Sequence, residues 1–158
     1  MPGNDREVGV ELMTMPLPSR LIYTLVSLLM PLGAHLADYN VTHIFNPRWP
    51  PHAKFHTGQT LMMSVLLGVL TIFFAWRKSA DRLGAVLAAS GFASLYWITQ
   101  ALAIVYPGTA AVDPEFKTPG SYPHGIASQY YIDAAFLALI ALAAWIALRK
   151  GGSQHIRS

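Results

Sequence analysis

Apolar residues along this chain gather in four runs, at about 20–40, 57–76, 82–106 and 126–148. None alternates with the two-residue period of a strand. Each is close to the ~20 residues a helix needs to cross a ~30 Å hydrocarbon core. Only helices or closed barrels satisfy their backbone groups in such a core. The pattern therefore predicts an all-α fold, an integral membrane four-helix bundle. It forms a single domain over residues 19–150, between cytoplasmic tails at 1–18 and 151–158. The first tail is polar, carries Pro2, Pro16 and Pro18, and reads as mobile. The first run reads as an uncleaved helix rather than a signal peptide, because no small-x-small site follows it and His35 and Asp38 interrupt the region. Pro31 should kink helix one by freeing the carbonyl of Ser27. Gly84, Ala88 and Gly91 in helix three, and Ala134, Ala138 and Ala141 in helix four, are small enough for close helix contact. The two halves do not repeat, which argues against an inverted-repeat transporter.

Composition sharpens this picture. The chain is 53% apolar and 12% charged, against roughly 25% charged in a soluble domain. Disorder is excluded. There are no cysteines, which removes disulfides, thiolate zinc sites and thiol nucleophiles. The net charge of +3 comes without a basic stripe, so nucleic acid is not an expected partner. The cations instead report topology. Arg6, Arg20, Arg77, Lys78, Arg82, Arg149, Lys150 and Arg157 fall on one side of the four runs, and Arg48, Lys54 and Lys117 on the other. The positive-inside rule places both termini in the cytoplasm, with loops 41–56 and 107–125 outside. A plasma or inner membrane and the endoplasmic reticulum would both accommodate such a protein.

Placed by depth, every Asp, His, Asn and Gln within the runs falls in the outer half: His35, Asp38 and Asn40 on helix one, Gln59 on helix two with His56 at its outer start, Gln100 on helix three, Gln129 and Asp133 on helix four. Tyr96 and Trp97 join them on helix three. The inner half has none of these polar types, so a proton or ion pathway across the full thickness is disfavoured. Helical spacing lets each helix aim a polar pair inward: His35 with Asp38, His56 with His52 and Gln59, Tyr96 with Gln100, Gln129 with Asp133. One polar pocket opening to the outer side is expected.

Asp133 lies well inside helix four, where an Asp costs ~2.5–3.5 kcal/mol at the helix centre. It either serves the pocket or orients the bundle through a hydrogen bond to a neighbouring Tyr, Gln or His. Asp38 either faces the pocket or closes helix one through an Asx-type hydrogen bond. His35 either pairs with Asp38 or points to the interface. His52 and His56 have the i, i+4 spacing of two imidazoles on one metal; with Asp38, and with His35, His43 and Asp133 also nearby, they make a candidate site for a divalent ion such as zinc, iron or copper. Read otherwise, they are interfacial or proton-handling histidines, and no HExxH or paired ExxH accompanies them. The segment "FNPRWPPH" (45–52) reads as an extended loop, either a lid or a rigid connector. In loop 107–125, Asp113 and Glu115 are either solvated or reach the first loop. The Asn40 sequon abuts a helix end, which argues against glycosylation.

The run "ADYNVTHIFNPRWPPHAKFHTGQT" (37–60) resembles the signature of a family of small four-pass membrane proteins of uncharacterised activity, some of whose members are labelled acetyltransferase. That resemblance implies the fold and a membrane location. No glycine-rich pyrophosphate loop of an acyl-CoA site is present. More loosely, the architecture is similar to the sterol-isomerase and sigma-two-receptor group, in which membrane carboxylates face a cavity. Fungal anthrone oxygenases are small four-pass proteins too, but their Asn-Pro-Leu-Asn type motif is not evident.

Together these readings favour a membrane enzyme acting on a small lipophilic molecule. Asp38, His56, Asp133 and His35 are the candidate catalytic groups; His52, Gln59, Tyr96, Trp97, Gln100 and Gln129 are the candidate ligand-binding groups. The alternative is a non-catalytic protein binding a lipid, sterol or quinone, or an accessory subunit. Membrane lipid, a small lipophile, and a membrane protein or second copy are the expected partners. The absence of native cysteine makes the topology directly testable. A membrane-impermeant maleimide applied to intact cells should label Thr118→Cys and spare Ala80→Cys; the opposite pattern inverts the assignment.

Overall fold

The computed structural model describes residues 12–149. The outer parts of both tails, including Arg6, Lys150 and Arg157, lie outside the described residues. Each apolar run folds as a helix: α1 (Leu17–Asp38), α2 (Pro51–Trp76), α3 (Arg82–Leu102) and α4 (Ser128–Arg149). All four are long and apolar enough to cross a membrane. Proline sets two of the starts. α1 and α2 both carry Pro in their first turn, where the missing amide hydrogen is no loss and φ is already helical. For this reason α2 begins at Pro51, ahead of the apolar run that predicted it from residue 57. Asp81 caps α3, accepting a hydrogen bond from the Gly84 amide at 2.8 Å. Short 3-10 turns follow α3 (Ala103–Val105) and occupy the α3–α4 connection.

The helices run up and down. α1 packs on α2 and α4, and α3 completes the ring between them. The end carrying the α2–α3 link is called proximal below, and the end carrying the other two connections distal. On α1 the buried stripe is Ser19, Tyr23, Val26, Ser27, Met30 and Ala34. The opposite stripe, Leu21, Leu25, Leu28, Leu32 and Leu36, is exposed. The other helices repeat this, with Thr57, Ser64, Thr71 and Asp133 inside and large apolar side chains outside. A leucine surface over a hydroxyl-bearing interior is the arrangement that a hydrocarbon solvent favours. In hydrocarbon, buried helix contacts gain from hydrogen bonds and close packing rather than from apolar burial.

Several of those hydrogen bonds join helices. Ser19 Oγ donates to the Ala143 carbonyl at 2.8 Å, tying α1 to α4. Tyr23 and Ser90 share a hydrogen bond of 2.6 Å between α1 and α3. Arg82 donates to the Ala147 carbonyl. At the proximal rim Trp76 Nε1 donates to Thr24 Oγ1 at 2.9 Å, while Arg20 lies over the Trp76 ring at 4.5 Å.

Pro31 sits within α1 and leaves the Ser27 carbonyl without its amide partner. Gly68 of α2 comes up against that oxygen: a Cβ on Gly68 would lie 2.7 Å from it. The close α1–α2 approach thus depends on a residue with no side chain facing a carbonyl with no helical partner.

Two expectations are corrected. The tail is not free up to residue 18. Met13 and Ser79 exchange both backbone hydrogen bonds at 3.0 Å, Met15 is buried, and residues 17–18 are helical. The close-packed small residues are Ala85, Ala89 and Ala93 on α3 and Ala143 and Ala147 on α4. Gly91, Ala134, Ala138 and Ala141 face outward, and Gly84 and Ala88 are half-buried. Small residues form two stripes on each helix, and the inward placement of Tyr96, Trp97 and Asp133 selects between them.

Gly68→Ala should destabilise the protein by about 1–3 kcal/mol, as overpacking against a backbone atom does. Gly91→Ala, with nothing within 4 Å of the added carbon, should not. Thermal unfolding in detergent compares the two; equal midpoints would remove the Gly68–Ser27 contact from the account.

Candidate functional site

A cavity of about 670 Å³ opens at the distal end between α1, α3 and α4, within the roughly 300–1,000 Å³ typical of small-molecule sites. Its deep wall is apolar, with Ala34 from α1, Trp97 from α3 and Phe136 from α4. The Trp97 and Phe136 rings stack with centroids 4.1 Å apart. Its distal rim is polar, with Asp38, His43, Tyr96, Gln100, Ser128 and Gln129. The sequence therefore builds an amphipathic chamber, polar at one end only.

Local hydrogen bonding explains how Asp38 comes to face it. The chain must turn after α1, and Asn40 makes the turn. Its Nδ2 donates to the carbonyls of Leu36 (3.1 Å) and Ala37 (2.7 Å), closing the last turn of the helix. Its Oδ1 accepts from the Thr42 amide at 2.8 Å and from Thr42 Oγ1 at 2.6 Å. Closing the helix, one of the two roles open to Asp38, thus falls to Asn40, whose side-chain amide is fully engaged. Asp38 is left on the cavity wall. The turn returns His43 to it, with Nε2 3.6 Å from the Asp38 carboxylate and Nδ1 2.7 Å from Thr42 Oγ1. The Trp49 ring packs edge-on against the imidazole at 4.9 Å.

Of the predicted ligand-binding residues, the cavity gathers Tyr96, Trp97, Gln100 and Gln129. Asp133 lies beside it in the packed interior. It is 2% exposed, and both of its oxygens lack a hydrogen-bond partner, as does Trp97 Nε1. Asp133 and Asp38 are both within electrostatic reach of Tyr96. No hydrogen bond from a neighbouring Tyr, Gln or His orients Asp133.

The remaining predicted residues lie elsewhere. His35 is off the cavity wall, with Nδ1 2.7 Å from the Pro31 carbonyl of its own helix. His52, His56 and Gln59 sit on the exposed face of the first turns of α2. They bond to each other: His56 Nε2 to His52 Nε2 at 3.0 Å, and His56 Nδ1 to Gln59 Oε1 at 3.1 Å. The expected α2 wall is absent because α2 buries Thr57, Leu61, Ser64 and Gly68, a stripe rotated away from 52, 56, 59 and 63. Asp38 is consequently not joined with His52 and His56. Among the described residues no three His, Asp or Glu side chains converge as metal ligands.

The loops are also redistributed. Residues 45–52 do not line the cavity; Ala110 and Ala111 of the α3–α4 connection do. The first loop is a brace. Buried Asn46 donates to the Thr42 carbonyl at 3.2 Å and accepts from the Arg48 amide at 3.0 Å, and Arg48 forms an ion pair with Glu115 across the two loops. Glu115 therefore reaches the first loop, and α2 starts at Pro51 within the segment read as extended. His43 is offered by the sequence only as one of several possible metal ligands near His52 and His56, not as a partner of Asp38. Its signal was the Asn-x-Thr spacing, an Asx turn that brings the third residue after Asn40 back toward the helix end.

The chain belongs to a family of unknown function, DUF6640, which matches residues 22–157. No curated protein and no solved structure matches it.

A buried carboxylate without a hydrogen-bond partner destabilises the fold. Asp133→Leu should raise stability by about 1–4 kcal/mol, as apolar replacement of buried charge often does, measured by thermal unfolding. A fall would mean that Asp133 is a structural anchor.

Proposed function

We propose that this DUF6640 member is a multi-pass membrane protein that admits a small lipophilic molecule to the α1–α3–α4 cavity and performs acid/base chemistry at its distal, Asp38-bearing end. With both termini cytoplasmic, that end lies in the outer half of the membrane. One observation carries the reading: Leu29, Leu32, Leu36 and Ile132 line the cavity and are also exposed on the apolar surface of the bundle. The chamber is thus open sideways, at the depth of lipid chains, between α1 and α4. A molecule dissolved in the bilayer would reach it without crossing water. The stacked Trp97 and Phe136 offer its apolar body a flat surface. Gln100, Gln129 and Ser128 line the cavity and offer its polar end donors and acceptors. Asp38 and His43 supply titratable groups at that same end.

A second reading, a carrier or accessory subunit that binds a lipid, sterol or quinone without altering it, draws on the same apolar wall. Retention of a ligand is common to both; chemical change separates them. Native mass spectrometry of the detergent-purified protein tests retention. Gly33 lines the cavity, and an added Cβ there would meet nothing within 4 Å. Gly33→Trp should therefore fill the space and lower the retained lipophile about tenfold, ~1.4 kcal/mol of binding. Adducts equally abundant in both proteins would place the lipophile on the outer surface and remove the cavity reading.

A further inference from the structure

Hydrogen-bond accounting at the cavity rim assigns a proton. Carbonyl oxygens only accept, so the Asn40 amide must turn its NH2 toward Leu36 and Ala37 and its Oδ1 toward Thr42. Thr42 Oγ1, 2.6 Å from that Oδ1, must then donate to it. A hydroxyl has one proton. Toward His43 Nδ1, at 2.7 Å, Thr42 Oγ1 is therefore an acceptor, and the hydrogen of that contact belongs to the imidazole. Neutral His43 consequently carries its proton on Nδ1 and a lone pair on Nε2. That lone pair faces the Asp38 carboxylate across 3.6 Å, a separation too long for a hydrogen bond. Both groups keep free capacity toward the cavity they line.

We infer that Asp38 and His43 form a proton-transfer pair acting on a hydroxyl-bearing lipophile, with Thr42 and Asn40 as the positioning residues that fix the tautomer. The inference rests on the cavity reading above. In the forward step the ligand O–H bond breaks. Its electron pair stays on the ligand oxygen, and the proton bonds to His43 Nε2. The imidazolium then holds one proton toward Thr42 and one toward the Asp38 carboxylate, whose opposite charge stabilises it. The reverse step returns the proton and restores the pair. Tyr96 is the titratable side chain on the α3 wall, and Asp133 is packed behind the α4 wall. His35, the other imidazole within electrostatic reach of Asp38, is held to its own helix. None of these offers a second base at the rim next to Asp38.

Two measurements on the full chain in lipid nanodiscs test this. The first needs no ligand. Nitrogen-15 NMR of histidine-labelled protein, with His43 assigned through His43→Gln, should show neutral His43 protonated at Nδ1. Thr42→Val should abolish that preference, and Thr42→Ser should restore it. His43 protonated at Nε2 in the native protein, or indifferent to Thr42→Val, overturns the tautomer assignment and with it the proposal. The second uses an alkyl-substituted 7-hydroxycoumarin, whose absorbance separates phenol from phenolate. At one bulk pH the bound phenolate-to-phenol ratio should be about tenfold higher in the native protein than in His43→Gln, one pKa unit of proton affinity. Equal ratios at equal binding overturn the proton transfer while leaving the cavity intact. Binding that persists unchanged in Gly33→Trp instead strikes at the cavity reading, and the NMR result still decides the tautomer.

Discussion

Hydrocarbon offers a polar atom nothing to bond with, and this architecture follows from that constraint. The four helices satisfy their own backbones, and their remaining polar atoms turn inward to find partners. Ser19 finds the Ala143 carbonyl, Tyr23 finds Ser90, and Arg82 finds the Ala147 carbonyl. Around the carbonyl that Pro31 frees, Gly68 has no side chain, so α2 can pack close against it. Among the described residues a few buried polar atoms find no partner, Ser27 Oγ and Trp97 Nε1 among them, and Asp133 is the carboxylate in that set, with both oxygens unpartnered. A buried carboxylate is the costliest of these to leave unpaired, and it lies next to the chamber, which is why the proposed function looks to the distal end.

The same constraint explains what could be read from the chain. Helix number and order follow from apolar length, because a lipid-spanning helix announces itself in twenty residues. The start of α2 was misplaced because Pro50 and Pro51 nucleate helix outside the apolar run, where hydropathy is silent. The packing faces of α3 and α4 were displaced because alanine and glycine populate two stripes. Only the few large or charged residues, Tyr96, Trp97 and Asp133, choose between them. Composition therefore marks which residues can pack closely, and the rarer polar side chains decide which do.

The candidate site was half legible for a related reason. Residues inside helices inherit their direction from helical periodicity, and Asp38, Tyr96, Trp97, Gln100 and Gln129 do meet around one cavity. Periodicity tells which residues share a face but not which face packs inward: His52 and His56 share a face of α2, and that face looks away from the bundle. His43 reaches the cavity through a turn set by Asn40 and Thr42, which no periodicity describes. The histidine density of the 35–60 segment thus separates into three uses: one ring tied to its own helix, two paired on the surface and one beside Asp38.

An experimental map of the protein in lipid nanodiscs tests the central claim most directly. The account predicts elongated density in the chamber, its apolar body against Trp97 and Phe136 and its polar end within hydrogen-bonding distance of Asp38 and His43. A chamber collapsed or filled only with water, or ligand density confined to the His52–His56 surface, would contradict it.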